Sequence, residues 1–201
     1  MLSIDPKKLS AKDNYKLLSG SVIPRPIAFV TTLSEEGTLN GAPFSFFNVV
    51  NSDPPMVSVS VQRRDGEQKD TARNAIDQNE FVVHIVDESY VHAMNETAAS
   101  LPAHVSEITE ANLTPVESRE VKVPGIQEAS IRFECKLDRI IPFGDNGVKC
   151  DFLLGKVVHY HIRDDLYYDG KIDPKGLKPI GRLAGLDYSK LGEMFSIERP
   201  K

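Results

Sequence analysis

The chain has 201 residues, 40% hydrophobic and 26% charged, which is the composition of one ordinary globular domain and not of a disordered chain. A formal net charge of −5 gives no basic face on which to expect nucleic acid. No apolar run reaches the length of a membrane span, and the first residues lack the apolar core of a signal peptide. The expectation is a cytoplasmic protein with no membrane association.

The first element reads as a helix. Ser10-Ala11-Lys12-Asp13 resembles a capping box, Tyr15, Leu17 and Leu18 form an apolar patch, and Gly20 stands as a stop. Pro24-Arg25-Pro26 then holds an extended entry into β structure, because a residue before proline is pushed out of the helical region. Residues 27–33 are apolar and β-branched and read as a strand, Glu35-Glu36-Gly37-Thr38 as a turn, and residues 40–50 as a second strand. Asp53-Pro54-Pro55 breaks the pattern, since proline cannot serve a central ladder. Beyond it Val57, Val59 and Val61 share one face of a strand, while Ser58 and Ser60 share the other, which meets water or a polar group.

Residues 70–78 read as a short helix with Ala72, Ala75 and Ile76 inward, and 80–86 as an apolar strand. A helix is expected over 88–99, followed by a polar stretch through Glu107-Ile108-Thr109-Glu110. In residues 130–141, Ile131, Phe133, Cys135 and Leu137 alternate with Arg132, Glu134, Lys136 and Asp138, the signature of a half-buried strand. Gly144-Asp145-Asn146-Gly147 signals a hairpin turn into a returning strand over 150–162. The C-terminal part is loop-rich, with Gly181-Arg182-Leu183 ahead of a helical stretch over 187–194. About six or seven strands with two or three helices, and no regular strand–helix alternation, predict a mainly β fold. This is an antiparallel β-barrel with peripheral helices, in one domain over 1–201 with its core over about 20–185.

Three segments carry more polar hydrogen-bonding capacity than a purely structural barrel needs. Thr31 and Thr32 end an apolar strand. Ser45-Phe46-Phe47-Asn48 brackets two phenylalanines with polar groups, and Asn48 has the donors and acceptor that suit the mixed edge of a heterocycle; the competing reading is an aromatic pair at a sheet edge. The third segment runs from Arg63 to Thr71 and enters the helix at Lys69-Asp70-Thr71. Cationic side chains, a short hydroxyl and free N–H groups at a helix start are what a phosphate dianion requires. The alternative is a helix cap beside a solvated charged loop.

Other chemistries find less support. His159 and His161 point to one face of a strand, but two imidazoles fall short of a zinc ligand set, and no metal is expected. Cys135 and Cys150 admit a disulfide on paper, and the compartment favours two reduced thiols. There is no dinucleotide fingerprint and no nucleophile elbow.

The arrangement resembles the flavin reductase-like family with the FMN-binding split-barrel fold, in the branch of nitrilotriacetate monooxygenase component B. The resemblance rests on residues 23–32, on Asn40-Gly41-Ala42-Pro43-Phe44-Ser45-Phe46-Phe47-Asn48, and on Asp53-Pro54-Pro55, Lys69-Asp70-Thr71, Phe81-Val82-Val83-His84, Met94-Asn95 and Gly181-Arg182-Leu183. It implies a six-stranded Greek-key split barrel, a homodimer, and one FMN per subunit near the interface, with FAD as an alternative flavin. Flavin contacts are implied for Ser45, Phe46, Phe47, Asn48, Ser60, Lys69, Asp70 and Thr71, and further for Thr31, Thr32, Arg63 and Arg182. The implied activity is hydride transfer from NADH or NADPH to flavin, with reduced flavin passed to a partner monooxygenase. A flavin-binding electron carrier or store without turnover, or a flavin enzyme acting on another substrate, are the alternatives. Because the flavin accepts the hydride, the sequence marks no catalytic side chain.

Overall fold

The structure is a computed structural model and describes residues 1–200. Helix α1 (Ala11–Ser21) starts where expected: the Ser10 hydroxyl accepts the Asp13 N–H at 3.1 Å and donates to the Asp13 carboxylate at 2.7 Å. Gly20 does not end it. The helix runs one residue further and is capped by Val22, whose N–H reaches the Leu18 carbonyl. The apolar face of α1 is not core either, for Tyr15, Leu17 and Leu18 are all exposed.

Seven strands build the main sheet: β1 (Ala28–Leu33), β2 (Leu39–Phe44), β3 (Phe47–Ser52), β4 (Pro55–Gln62), β5 (Glu80–Ile85), β6 (Ile131–Phe143) and β7 (Cys150–Ile162). Their order is β2-β1-β5-β6-β7-β4-β3, and every pairing is antiparallel. The mainly β, antiparallel expectation therefore holds, with seven strands where the resemblance implied six. The seventh arises because the apolar run over 40–50 is not one strand. It bends at Ser45 and Phe46, so β2 and β3 become the two edges of the sheet.

The sheet curls, and β2 also meets β4. Its inner face closes on a core that includes Val30, Phe47, Val59, Phe81 and Leu153. A second core on the outer face gathers Phe29, Met94, Ile108 and Ile126 beneath helices α3 (Val91–Glu96) and α4 (Glu107–Glu110). Helix α2 (Asp70–Gln78) closes the inner core with Ala72 and Ala75, and stops at Asn79 in the left-handed conformation. Two glycines permit close approaches. A Cβ on Gly155 would lie 2.3 Å from Phe81 Cζ, and one on Gly41 would lie 2.4 Å from Ile108 Cδ1. The second approach lets α4 sit directly on β2.

One C-terminal expectation fails. The segment 187–194 is not helical: Tyr188–Lys190 forms a short strand that pairs with Ile180–Arg182, which in turn pairs with Arg25–Pro26. Edge pairing satisfies its backbone and overrides a weak helical pattern. The polar stretch at 107–110, to which the sequence assigned no element, forms α4, with Glu107 and Ile108 buried. Cys135 and Cys150 are free and buried on β6 and β7.

Candidate functional site

The end of β2, a tight turn at 64–67, the start of α2 and residues 97–101 enclose a cavity of about 710 Å³. That size is in the range of small-molecule sites. The turn is built by Asp65 and Gly66, both at positive φ, with Arg64 and Glu67 exchanging backbone hydrogen bonds of 3.1 and 2.8 Å. It folds the chain back so that Arg64, Gln68 and Lys69 all line the cavity.

Lys69 is the N-cap of α2, and no side chain caps this helix. The amides of Ala72 and Arg73 both turn back to the Lys69 carbonyl at 3.0 Å. The N–H groups of Asp70 and Thr71 stand at the first turn, where a helix provides no acceptor. The Lys69 ammonium lies 5.8 Å from the centre of the Phe44 ring, and Arg64 is held at 2.9 Å by the Ser100 hydroxyl. An uncapped helix start flanked by two cations offers the free donors and positive charge that an oxyanion requires.

Behind this entry lies a buried polar network. Asn40 Oδ1 accepts from the hydroxyls of Thr71 at 3.0 Å and Thr32 at 3.3 Å, and Asn40 Nδ2 donates to Glu107 at 3.0 Å. Asn74 donates to Thr32 at 3.3 Å, and the Gly41 amide donates to Glu107 at 3.3 Å. Burial pushes the Glu107 carboxyl up, and the negative charge of Asp70 adds to this, against the donors that favour its ionised form. Four carboxylates line the cavity with the two cations: Asp65, Glu67, Asp70 and Glu107. Asp70 is paired with Arg73, and Glu107 is turned inward to Asn40 and Gly41, so the positive end is confined to Arg64, Lys69 and the helix start.

The structure brings Lys69, Asp70 and Thr71 together at this cavity and places the other sequence-predicted residues elsewhere. Thr32 belongs to the buried network behind it, and Thr31 donates to the Pro124 carbonyl at 2.7 Å on the outer side of the sheet. Arg63 does not face the cavity; it forms a two-pronged pair with buried Asp151. Phe47 is inner core. Ser45 and Phe46 form the bend just beyond Phe44, where Arg25 donates to Ser45 at 3.4 Å and lies 5.9 Å from the Phe46 ring. Asn48 is exposed, with its side chain on the Val49 amide, and Ser60 bonds through its own amide to the Phe46 carbonyl at 2.8 Å. Arg182 lies over Tyr188 at 4.4 Å and holds the Gly185 and Asp187 carbonyls, lining a separate cavity with His92 and Asn95.

Sequence reasoning missed Arg64, Asn40 and Glu107. For the arginines a signal existed: the period of two that turns Val57, Val59 and Val61 inward carries Arg63 to the same face and leaves Arg64 for the other. For Glu107 there was none, because its role depends on α4 meeting β2 across 66 residues of chain.

The comparisons agree with this architecture. A crystal structure of nitrilotriacetate monooxygenase component B from Bacillus cereus is 59% identical, covers 98% of each chain and superposes with a TM-score of 0.97. That of 2-nitrobenzoate 2-nitroreductase NbaA from Pseudomonas fluorescens is 33% identical, covers 99% of this chain and 96% of its own, and gives a TM-score of 0.85. A Bacillus subtilis relative, the uncharacterised protein YwrF, is 59% identical over 198 residues, 96% of both chains. Residues 19–176 match the flavin reductase like domain. The chain belongs to the flavin reductase-like family and has its split-barrel fold.

Proposed function

We propose that the protein binds FMN and acts as an NAD(P)H-dependent flavin reductase in the cytoplasm, delivering reduced flavin to a partner monooxygenase. One observation carries the reading: the uncapped start of α2, flanked by Lys69 and Arg64, opens into a cavity of about 710 Å³. These groups fit the phosphate end of a flavin nucleotide, and the same chemistry would accept FAD less readily through its internal diphosphate. Lys69 supplies charge, the Asp70 and Thr71 amides supply donors, and the Asn40–Glu107 network fixes the Thr71 side chain that borders them.

Flavin, when bound, supplies the hydride-accepting ring. The chain's part is to anchor, orient and shield it. Phe44 and the bend at Ser45 and Phe46 continue from the phosphate end along the sheet edge, held by Arg25, which also grips the C-terminus of α1 through the Val22 carbonyl at 2.6 Å. Beside that edge Tyr15 and Phe46 stand 6.4 Å apart, and Leu18 and Val22 on the helix side and Val49 and Val50 on the strand side are exposed. These exposed apolar side chains are what a second subunit would cover in closing the ring site and forming the homodimer.

The support for a partner oxygenase is the likeness to a component of a monooxygenase. A second reading, direct reduction of a nitroaromatic substrate, has the support of the 33% identical nitroreductase. Purified protein is to be supplied with FMN and then with NADH or NADPH while flavin and nicotinamide absorbance are followed. Flavin bleaching with nicotinamide oxidation is expected. Tight flavin binding with no bleaching by either nucleotide would leave an electron carrier or flavin store and overturn the reductase reading; bleaching that needs a nitroaromatic acceptor for turnover would favour the second.

A further inference from the structure

The far end of the β6–β7 ribbon carries another concavity, of about 560 Å³. Its lining includes three arginines (Arg119, Arg132 and Arg163) and two histidines, His159 and His161, against one carboxylate, Glu128. This runs against the chain's net charge of −5. It shares no lining residue with the cavity at α2. Cys150 pairs with Gln62, close to Arg64, whereas His161 lies eleven residues further along β7. That is roughly 35 Å of extended strand.

Arg132 lines the concavity and is poorly satisfied. It is half-buried and pairs with no carboxylate among the described residues. Its Nε is buried without a hydrogen-bond partner, packed over Gly125. Its remaining contacts are long, 3.3 Å to His161 Nδ1 and 3.5 Å to the Ile126 carbonyl. A guanidinium has five N–H donors, and leaving them unmatched in a half-buried position is costly. Burial holds its pKa below the usual arginine value, with nearby Glu134 opposing.

Glu134 cannot relieve it. That carboxylate is fully buried and accepts from the amides of Arg119 at 2.8 Å, Glu120 at 2.6 Å and Val121 at 3.2 Å, and from His161. Glu128 is taken up by the Thr114 amide, and Asp165 by Arg163, whose NH1 reaches Ser130 at 3.0 Å. The Arg119 side chain is exposed at the rim. Arg132 and Arg119 therefore line this space without a carboxylate partner among the described residues, beside an Arg163 that Asp165 already engages.

We propose that this concavity binds a doubly charged oxyanion, the phosphate group of a small metabolite, with Arg132 as central donor and Arg119 and Arg163 at the rim. Guanidinium forks match phosphate oxygens, and the Arg132 donors that no carboxylate of the protein takes are the ones a phosphate would engage. The site is independent of flavin binding.

The test follows the ring protons of His159 and His161 by NMR while inorganic phosphate, and separately AMP, replaces sodium chloride at constant ionic strength. Saturable shifts in the millimolar range are expected; AMP binding more tightly would identify a phosphate monoester, and equal affinity would identify the phosphate group alone. Arg132→Gln and Arg119→Gln should each weaken binding roughly tenfold, and Arg119→Gln, on the exposed rim, should keep the wild-type melting temperature and flavin affinity. Shifts that do not saturate, or that sodium chloride reproduces, would overturn the proposal. So would wild-type phosphate affinity in Arg119→Gln together with a folded Arg132→Gln.

Discussion

Asp151, its side chain 1% exposed, takes both Nε and a terminal nitrogen of Arg63 at 2.8 Å, tying β7 to the exit of β4. The neighbouring Arg64 instead faces the cavity. Removing Arg63 leaves a buried carboxylate without its cation, which is more damaging than losing both partners. Arg63→Gln should therefore lower the melting temperature by several degrees and leave FMN affinity unchanged. Arg64→Gln should do the reverse. Paired thermal melts and flavin titrations read both effects.

The second prediction concerns the anion entry of α2. Lys69→Ala and Thr71→Ala should each weaken FMN binding by about 1–3 kcal/mol, because each removes or misplaces a partner of a charged group. Thr71→Ala should also cost stability, since its hydroxyl fills one acceptor site on buried Asn40. Fluorescence titration of FMN against the purified variants measures the first effect. Unchanged affinity in both would show that Lys69 and Thr71 only begin a helix.

Acid should destabilise the protein through His84. Its ring is fully buried, Nδ1 donating to the Phe29 carbonyl at 2.9 Å and Nε2 accepting from the Ile126 amide at 3.0 Å, which fixes the neutral form. Burial pushes its pKa down to about 3. The unfolded chain takes up that proton near pH 6.5. Stability present at neutral pH is then lost as pH falls below that value, by about 1.4 kcal/mol per unit until the folded histidine also titrates. Glu134, held low despite burial by His161 and the Arg119 and Glu120 amides, adds to the loss at lower pH. Glu107, raised by burial, works in the opposite sense. Denaturant titrations between about pH 7 and pH 5 check the slope, and His84→Gln should flatten it.

The apolar face of α1 gives a fourth test. Leu18 is 61% exposed and Val49 70% exposed, an unfavourable display for a lone subunit. Sedimentation equilibrium should find a dimer for the native chain, and Leu18→Glu should shift it toward monomer with loss of flavin affinity. A native monomer would remove the second subunit from the flavin site.

The ribbon of β6 and β7 was legible because both of its signals are local: strict alternation from Ile131 to Asp138 and a glycine-rich turn at 144–147. The start of α2 was legible for the same reason, in its charged and hydroxyl residues before an amphipathic run. The bend at Ser45 and Phe46 was not, since both residues suit a strand and only the need to close a curled sheet splits the run. The short strand at Tyr188–Lys190 depends on a partner, Ile180–Arg182, that local propensity cannot reveal. Thr31 and Thr32 looked like ligands because they are polar at the end of an apolar strand; their hydroxyls are consumed inside the protein, by Pro124 and Asn40.

The amide of Asn40 is oriented without ambiguity, its oxygen toward two hydroxyls and its nitrogen toward Glu107. Asn40→Asp would exchange that nitrogen for an oxygen and set two carboxyl groups face to face, with room between them for one shared proton. The cavity floor would then gain a titration that the native protein lacks. Closing it with a proton would keep the Thr71 hydroxyl in place, and opening it by deprotonation would drive β2 and α4 apart, so that a single-atom exchange would make flavin retention fall with rising pH.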